Sequence, residues 1–133
     1  MSRTKKRVAF TVTVTVLIGL ALAATLPRVA STDAGGVREI HLVARDMAFY
    51  VDGQGDPNPT LVLRRGERVR ILLRNADPGM SHDFAVRAWK KGTGVINGVG
   101  EAAIDFRAPR AAGSEAYACT PHGEMMRGTI RVE

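Results

Sequence analysis

Cysteine is nearly absent: Cys119 is the one cysteine in 133 residues, so no disulfide can form within the chain. Histidine is almost as scarce, at His41, His82 and His122. Three histidines are too few for a polynuclear metal centre built beside a first metal site. Aromatic residues make up 5% of the sequence, and beyond the first seven residues the longest basic runs are the pairs Arg64-Arg65 and Lys90-Lys91. Stacking platforms interleaved with cations are therefore missing, which excludes a nucleic-acid partner. Also missing are an amphipathic helical pattern, an internal repeat and a low-complexity tract.

The net charge of +6 is distributed unevenly. Arg3, Lys5, Lys6, Arg7 and Arg28 stand against Asp33 alone in the first 34 residues, whereas from Gly35 onward 14 basic residues meet 12 acidic ones. The cations Arg3 to Arg7 precede an uncharged stretch, Val8 to Leu26, that ends at Pro27-Arg28. A cationic start followed by an apolar run is the pattern of an export signal, and 19 residues also approach the length of a membrane span. Residues 1–34 are thus expected to be a signal peptide, cleaved after Ala23 with Ala21 at the minus-three position, or an N-terminal anchor through residues 8–26, followed by a linker. Either way the basic end stays inside and the domain is exported to a periplasmic or extracellular space. Residues 35–133 then form one domain, of the size usual for a β-sandwich.

Within that domain the hydrophobic pattern has period two. Val37 to Val51 predicts a strand, with Ile40, Leu42 and Ala44 on its apolar face and His41 on the solvent side. Asp52 to Pro59, with two glycines and two prolines, predicts a loop. Thr60 to Leu63 and Arg68 to Asn75 predict strands around a turn at Arg65-Gly66-Glu67, the second burying Val69, Ile71 and Leu73. A turn at Asp77-Pro78-Gly79 leads into a strand from Ser81 to Trp89, then a loop from Lys90 to Gly100. Ala102 to Ala108, Glu115 to Cys119 and Arg127 to Val132 complete the set, the last two pairing around Thr120 to Met126. Short strands separated by turns every 8 to 12 residues predict an all-β, antiparallel sandwich or barrel.

A lone cysteine in an exported domain is a free thiol, an intermolecular bridge or a metal ligand, and its neighbours select the last. Cys119-Thr120-Pro121-His122 places a thiolate and an imidazole three residues apart in a tight loop, with the thioethers of Met125 and Met126 just beyond. Two imidazoles and a thiolate with a weak axial thioether make the blue-copper ligand set. The second imidazole must come from another strand, and His82, after the Pro78-Gly79 turn, is the candidate.

Cys119-Thr120-Pro121-His122 followed by Met126-Arg127-Gly128 resembles the closing ligand loop of amicyanin, pseudoazurin and plastocyanin, the small blue copper proteins of the cupredoxin family. Gly79-Met80-Ser81-His82-Asp83-Phe84 is similar to the segment around their first histidine. The resemblance runs from about Ile40 to the end. It implies a Greek-key β-sandwich with one copper ion, Cu(I) or Cu(II), held at one end by His82, Cys119, His122 and a methionine. It also implies a monomeric electron carrier, not an enzyme, whose redox partners dock near His122. The Met-x-Gly step into the last strand favours Met126 as axial ligand, with Met125 in reserve, because strand register fixes where a side chain points. Where many relatives have asparagine after the first histidine, this chain has Asp83, expected to tie the two ligand loops together by accepting a hydrogen bond from Thr120. The alternative function is a copper carrier or store using Met47, Met80, Met125 and Met126.

Overall fold

The computed structural model describes residues 36–133, and the export or anchor expectation for residues 1–34 lies outside them. The described residues form eleven strands and no α-helix. They are β1 Arg38–Arg45, β2 Ala48–Val51, β3 Leu61–Leu63, β4 Arg68–Asn75, β5 Ser81–His82, β6 Ala85–Val86, β7 Lys91–Gly92, β8 Ile96–Asn97, β9 Gly100–Arg107, β10 Gly113–Ala118 and β11 Arg127–Val132. A single 3-10 turn, Arg87–Trp89, follows β6. Among the described residues no helix is long and apolar enough to cross a membrane.

The strands make one sheet in the order β2-β1-β4-β9, another in the order β3-β11-β10-β6-β7, and a small ladder of β5 with β8. Most pairings are antiparallel, but β1 runs parallel to β4 and β3 parallel to β11. Alternation dictates the packing: Val69, Ile71 and Leu73 of β4 are buried while the residues between them are not. They sit beside Ile40, Leu42 and Ala44 of β1 and form one core with Leu61, Leu63, Val86, Tyr117, Ile130 and Val132 of the second sheet. At roughly 25 cal/mol per Å² of apolar surface, burial of these side chains is the main term holding the sheets together.

Three sequence expectations need correction. Val37 to Val51 is a hairpin, not one strand: Asp46 and Met47 take φ of 50° and 59° and turn the chain between β1 and β2. Two consecutive left-handed residues are the backbone of a type I′ turn, normally marked by Asn-Gly, and methionine gives no such signal. Ser81 to Trp89 is two short strands with a break at Asp83-Phe84, because β5 pairs with β8 and β6 with β7 and β10. Lys90 to Gly100 is correspondingly not all loop, since it supplies β7 and β8.

Strand direction defines two poles. β4 ends at Asn75, β10 ends at Ala118, and β11 begins at Arg127 opposite Ala118, so the loops after Asn75 and Ala118 lie at one pole. β1 and β4 start, and β3, β9 and β11 finish, at the other.

Candidate metal centre

The β10–β11 hairpin carries the loop from Cys119 to Met126, and its backbone is closed by hydrogen bonds. The Met126 carbonyl accepts from the Cys119 N–H (3.0 Å), the Cys119 carbonyl from the His122 N–H (3.2 Å), and the His122 carbonyl from the N–H groups of both Met125 (3.0 Å) and Met126 (2.9 Å). This turn brings His122 Nδ1 to 3.6 Å from Cys119 Sγ. His82, on β5, approaches from the other loop and places its Nδ1 3.7 Å from the same sulfur. The candidate ligand atoms of His82, Cys119 and His122 all lie within 4.8 Å of one another, and this is the one such trio among the described residues. His82 and Cys119 are fully buried, and His122 is half-buried. Of the two methionines, Met126 is fully buried in the core cluster that also contains Cys119, whereas Met125 is 58% exposed. His41 stands apart, exposed on β1 beside Glu39.

The chain matches no family model and no curated protein sequence. Its structure is similar to auracyanin A, a "blue" copper protein from the green thermophilic photosynthetic bacterium Chloroflexus aurantiacus, with TM-score 0.57 and 20% identity over 74% of this chain and 100% of that one. It is also similar to auracyanin from Roseiflexus castenholzii (TM-score 0.59, 17% identity, 72% and 97% covered) and to rusticyanin from Thiobacillus ferrooxidans (TM-score 0.56, 22% identity, 75% and 79% covered). The fold is that of the cupredoxins.

The side chains around the trio fix the orientation of its members. His82 Nε2 lies 3.0 Å from Asp77 Oδ2. A carboxylate only accepts, so it holds the proton on Nε2 and leaves the Nδ1 lone pair facing the sulfur. Asp77 is itself fixed, its N–H donating to Asn75 Oδ1 (3.0 Å), while the fully buried Asn75 donates through Nδ2 to the carbonyls of Met80 (2.8 Å) and Ile96 (3.2 Å). Asp83 Oδ1 accepts from the Thr120 N–H at 2.5 Å, the tie between ligand loops expected from the sequence. From a third direction Asn58 donates through Nδ2 to the Met125 carbonyl (3.0 Å) and accepts through Oδ1 from the Phe49 N–H (3.0 Å).

Sequence reasoning missed Asp77, Asn75 and Asn58. An acid in the turn just ahead of a candidate ligand histidine was the available signal for Asp77. Asn75 and Asn58 carried none, since both look like ordinary strand-end and loop residues.

Burial pushes the Cys119 thiol above its ordinary pKa. The backbone N–H groups of Asp83 and His122 pull the other way, and the Asp83 carboxylate adds to the rise. Thiolate, the form that ligates metal, is thus disfavoured here unless a cation compensates it. Two imidazoles and a thiolate also suit zinc, but the added thioether of Met126 favours copper: a thiolate and a thioether suit Cu(I), and two imidazoles suit both copper states. The cluster can therefore hold a single copper ion.

Beneath the site the rings of Phe49, Phe84 and Tyr117 pack together, with centroids 5.2 to 6.2 Å apart. Tyr117 lies across Gly128 in the paired strand, and its hydroxyl donates to the Pro59 carbonyl at 2.7 Å. A β-carbon on Gly128 would sit 2.3 Å from the tyrosine ring, so glycine is required for this close approach. That explains the glycine two residues after Met126.

Proposed function

We propose that this domain binds one copper ion through His82, Cys119, His122 and Met126 and carries single electrons between redox partners in a periplasmic or extracellular compartment. The observation that carries the reading is the convergence of two imidazole nitrogens and a thiol sulfur within 4.8 Å, from two loops 37 residues apart in sequence. The burial of Met126 and the exposure of Met125 support Met126 as the residue that would supply the thioether. Copper when bound supplies the one-electron couple between Cu(I) and Cu(II).

The chain's own part is to hold the donors still. The hydrogen-bonded loop, the Asp77 carboxylate behind His82 and the Asp83 link to Thr120 fix the ligand positions, so little rearrangement accompanies a change of charge. A pre-organised, water-excluded site lowers the barrier to electron transfer for the same reason that fixed dipoles lower other barriers. His122 is the half-exposed member, and the exposed Pro121, Met80 and Met125 near it in the two ligand loops offer an apolar surface for partner docking. The sequence pattern of residues 1–34 supports export, and the one histidine left outside the site, the exposed His41, is too little for a second metal centre, which supports a carrier over an enzyme.

The test is the visible spectrum of the copper-loaded, oxidised protein. An intense blue band that disappears in Cys119→Ser and survives in His41→Ala is expected. A colourless, copper-loaded protein in which the Cys119 thiol still reacts with thiol reagents would overturn the assignment. A coloured protein that neither accepts nor donates electrons on a useful timescale would instead favour copper carriage.

A further inference from the structure

The pole opposite the candidate copper site has its own chemistry. Arg38 opens β1, Arg64, Arg65 and Arg68 surround the turn before β4, and Arg107 and Arg110 follow each other out of β9. Backbone hydrogen bonds knit these segments into one surface: Gly66 N–H to the Pro109 carbonyl (3.0 Å), Ala108 N–H to Glu67 (2.8 Å), and Arg65 N–H to Glu133 (3.2 Å). These six arginines outnumber the acids of the same segments, Glu67, Asp105 and Glu133. Residues 36–133 as a whole carry a surplus of only two, so the positive charge of the domain is concentrated at this pole.

Not all of these arginines serve the fold. Arg38 pairs with Glu67, and Arg107 donates to the Gly66 carbonyl. Arg65, Arg68 and Arg110 are exposed and make no ion pair among the described residues. Arg68 stands directly opposite Arg107 in the β4–β9 register, and like charges facing across strands destabilise a sheet. A groove of about 410 Å³ opens here, its charged lining made of Arg68, Arg70 and Arg107 against the single acid Asp105, with the exposed Val37 beside them. Although Arg70 pairs through one terminal nitrogen with Asp105 (3.7 Å), its buried Nε has no hydrogen-bond partner. A like-charged arginine pair and an exposed apolar side chain together suit a phosphate attached to a hydrocarbon-bearing surface.

We propose that this arginine pole is a binding surface for anionic phospholipid headgroups. The choice of a lipid surface over an acidic protein rests on where the chain enters the domain. The described residues begin two positions before Arg38, and only residues 27–35 separate them from the uncharged run of residues 8–26. Nine residues reach no farther than about 30 Å even fully extended. If the run is retained in the membrane, the arginine pole stays within reach of headgroups. The inference does not depend on which metal the candidate copper site binds.

The experiment is vesicle co-sedimentation of residues 36–133, which contain both sheets and the whole core; a chain of this extent is a complete fold in auracyanin A, all of which is covered by 74% of this chain. Vesicles of phosphatidylcholine with about one-third phosphatidylglycerol should bind the domain, pure phosphatidylcholine should not, and raised salt should release it, as for other basic surfaces. Arg65→Gln/Arg68→Gln/Arg110→Gln should weaken binding about a hundredfold, roughly fivefold per charge, with a thermal midpoint no lower than the parent's, since the Arg68–Arg107 repulsion is relieved. Lys90→Gln/Lys91→Gln, at exposed positions around β7, should leave it intact. Absence of binding to the anionic vesicles, equal binding to neutral ones, or equal loss in both variants would overturn the proposal. So would full release by inorganic phosphate at constant ionic strength, which would mark a single-phosphate pocket. A failed copper assignment would leave every one of these results unchanged.

Discussion

Replacing Gly128 by alanine tests how the core holds the ligand loop. The added β-carbon would fall 2.3 Å from Cζ and Oη of Tyr117 and 2.5 Å from Cε1, well inside van der Waals contact. The ring has nowhere to go, because Phe49 and Phe84 lie against it with centroids 5.4 and 5.2 Å away and its hydroxyl is bonded to Pro59. Overpacking a filled core costs about 1–3 kcal/mol, and pulling the hydroxyl off Pro59 adds about 1 kcal/mol. A loss near 3 kcal/mol lowers the melting temperature of a domain this size by roughly 12 to 24 °C. The assay is thermal unfolding of the metal-free protein by circular dichroism. The double variant Gly128→Ala/Tyr117→Leu should be little worse than Tyr117→Leu alone, within about 0.5 kcal/mol, because the clash has been removed. Tyr117 lies two residues before Cys119 and Gly128 two after Met126, so the single variant should also shift the copper spectrum. If Gly128→Ala unfolds within about 0.5 kcal/mol of the parent, the ring is not confined and the argument fails.

Tyr117→Phe should flatten the alkaline limb of the stability profile: burial raises the tyrosine pKa above its unfolded value. The neutral form is thus favoured in the folded state, and stability is constant below about pH 10 but falls above it by about 1.4 kcal/mol per pH unit. Urea unfolding at neutral and alkaline pH would show this, and an unchanged slope in the variant would contradict it. Asp77→Ala should weaken copper binding about 10- to 100-fold by freeing His82 to rotate, measured by competition with a chelator. Asp83→Asn should keep the blue band and raise the reduction potential, since an anion near the site favours Cu(II); a potentiometric titration showing a lower value would refute this. Met126→Gln should lower the potential while Met125→Gln changes it little, and the reverse order would move the axial assignment to Met125.

The pattern of short amphipathic strands was legible because strand period is a local property: β4 and β11 have the bounds that alternation and turn residues indicate, Arg68–Asn75 and Arg127–Val132. The Cys119–His122 half of the site was legible for the same reason, since three residues of one loop hold both donors. The hairpin at Asp46-Met47 was hidden because its left-handed turn lacks glycine or asparagine, and the break after His82 because β5 and β6 join different sheets. Those choices depend on pairing partners far along the chain. Sequence by itself therefore determined the strand class and the donor types. Only the tertiary structure decided that His82 meets Cys119 from 37 residues away, that Asp77 and Asn58 brace the ligands, that Met126 is buried while Met125 is not, and that six arginines share the far pole. The reason is physical: alternation and turn chemistry act between neighbours in sequence, whereas donor convergence and charge segregation are set by which strand ends the stacked sheets bring together.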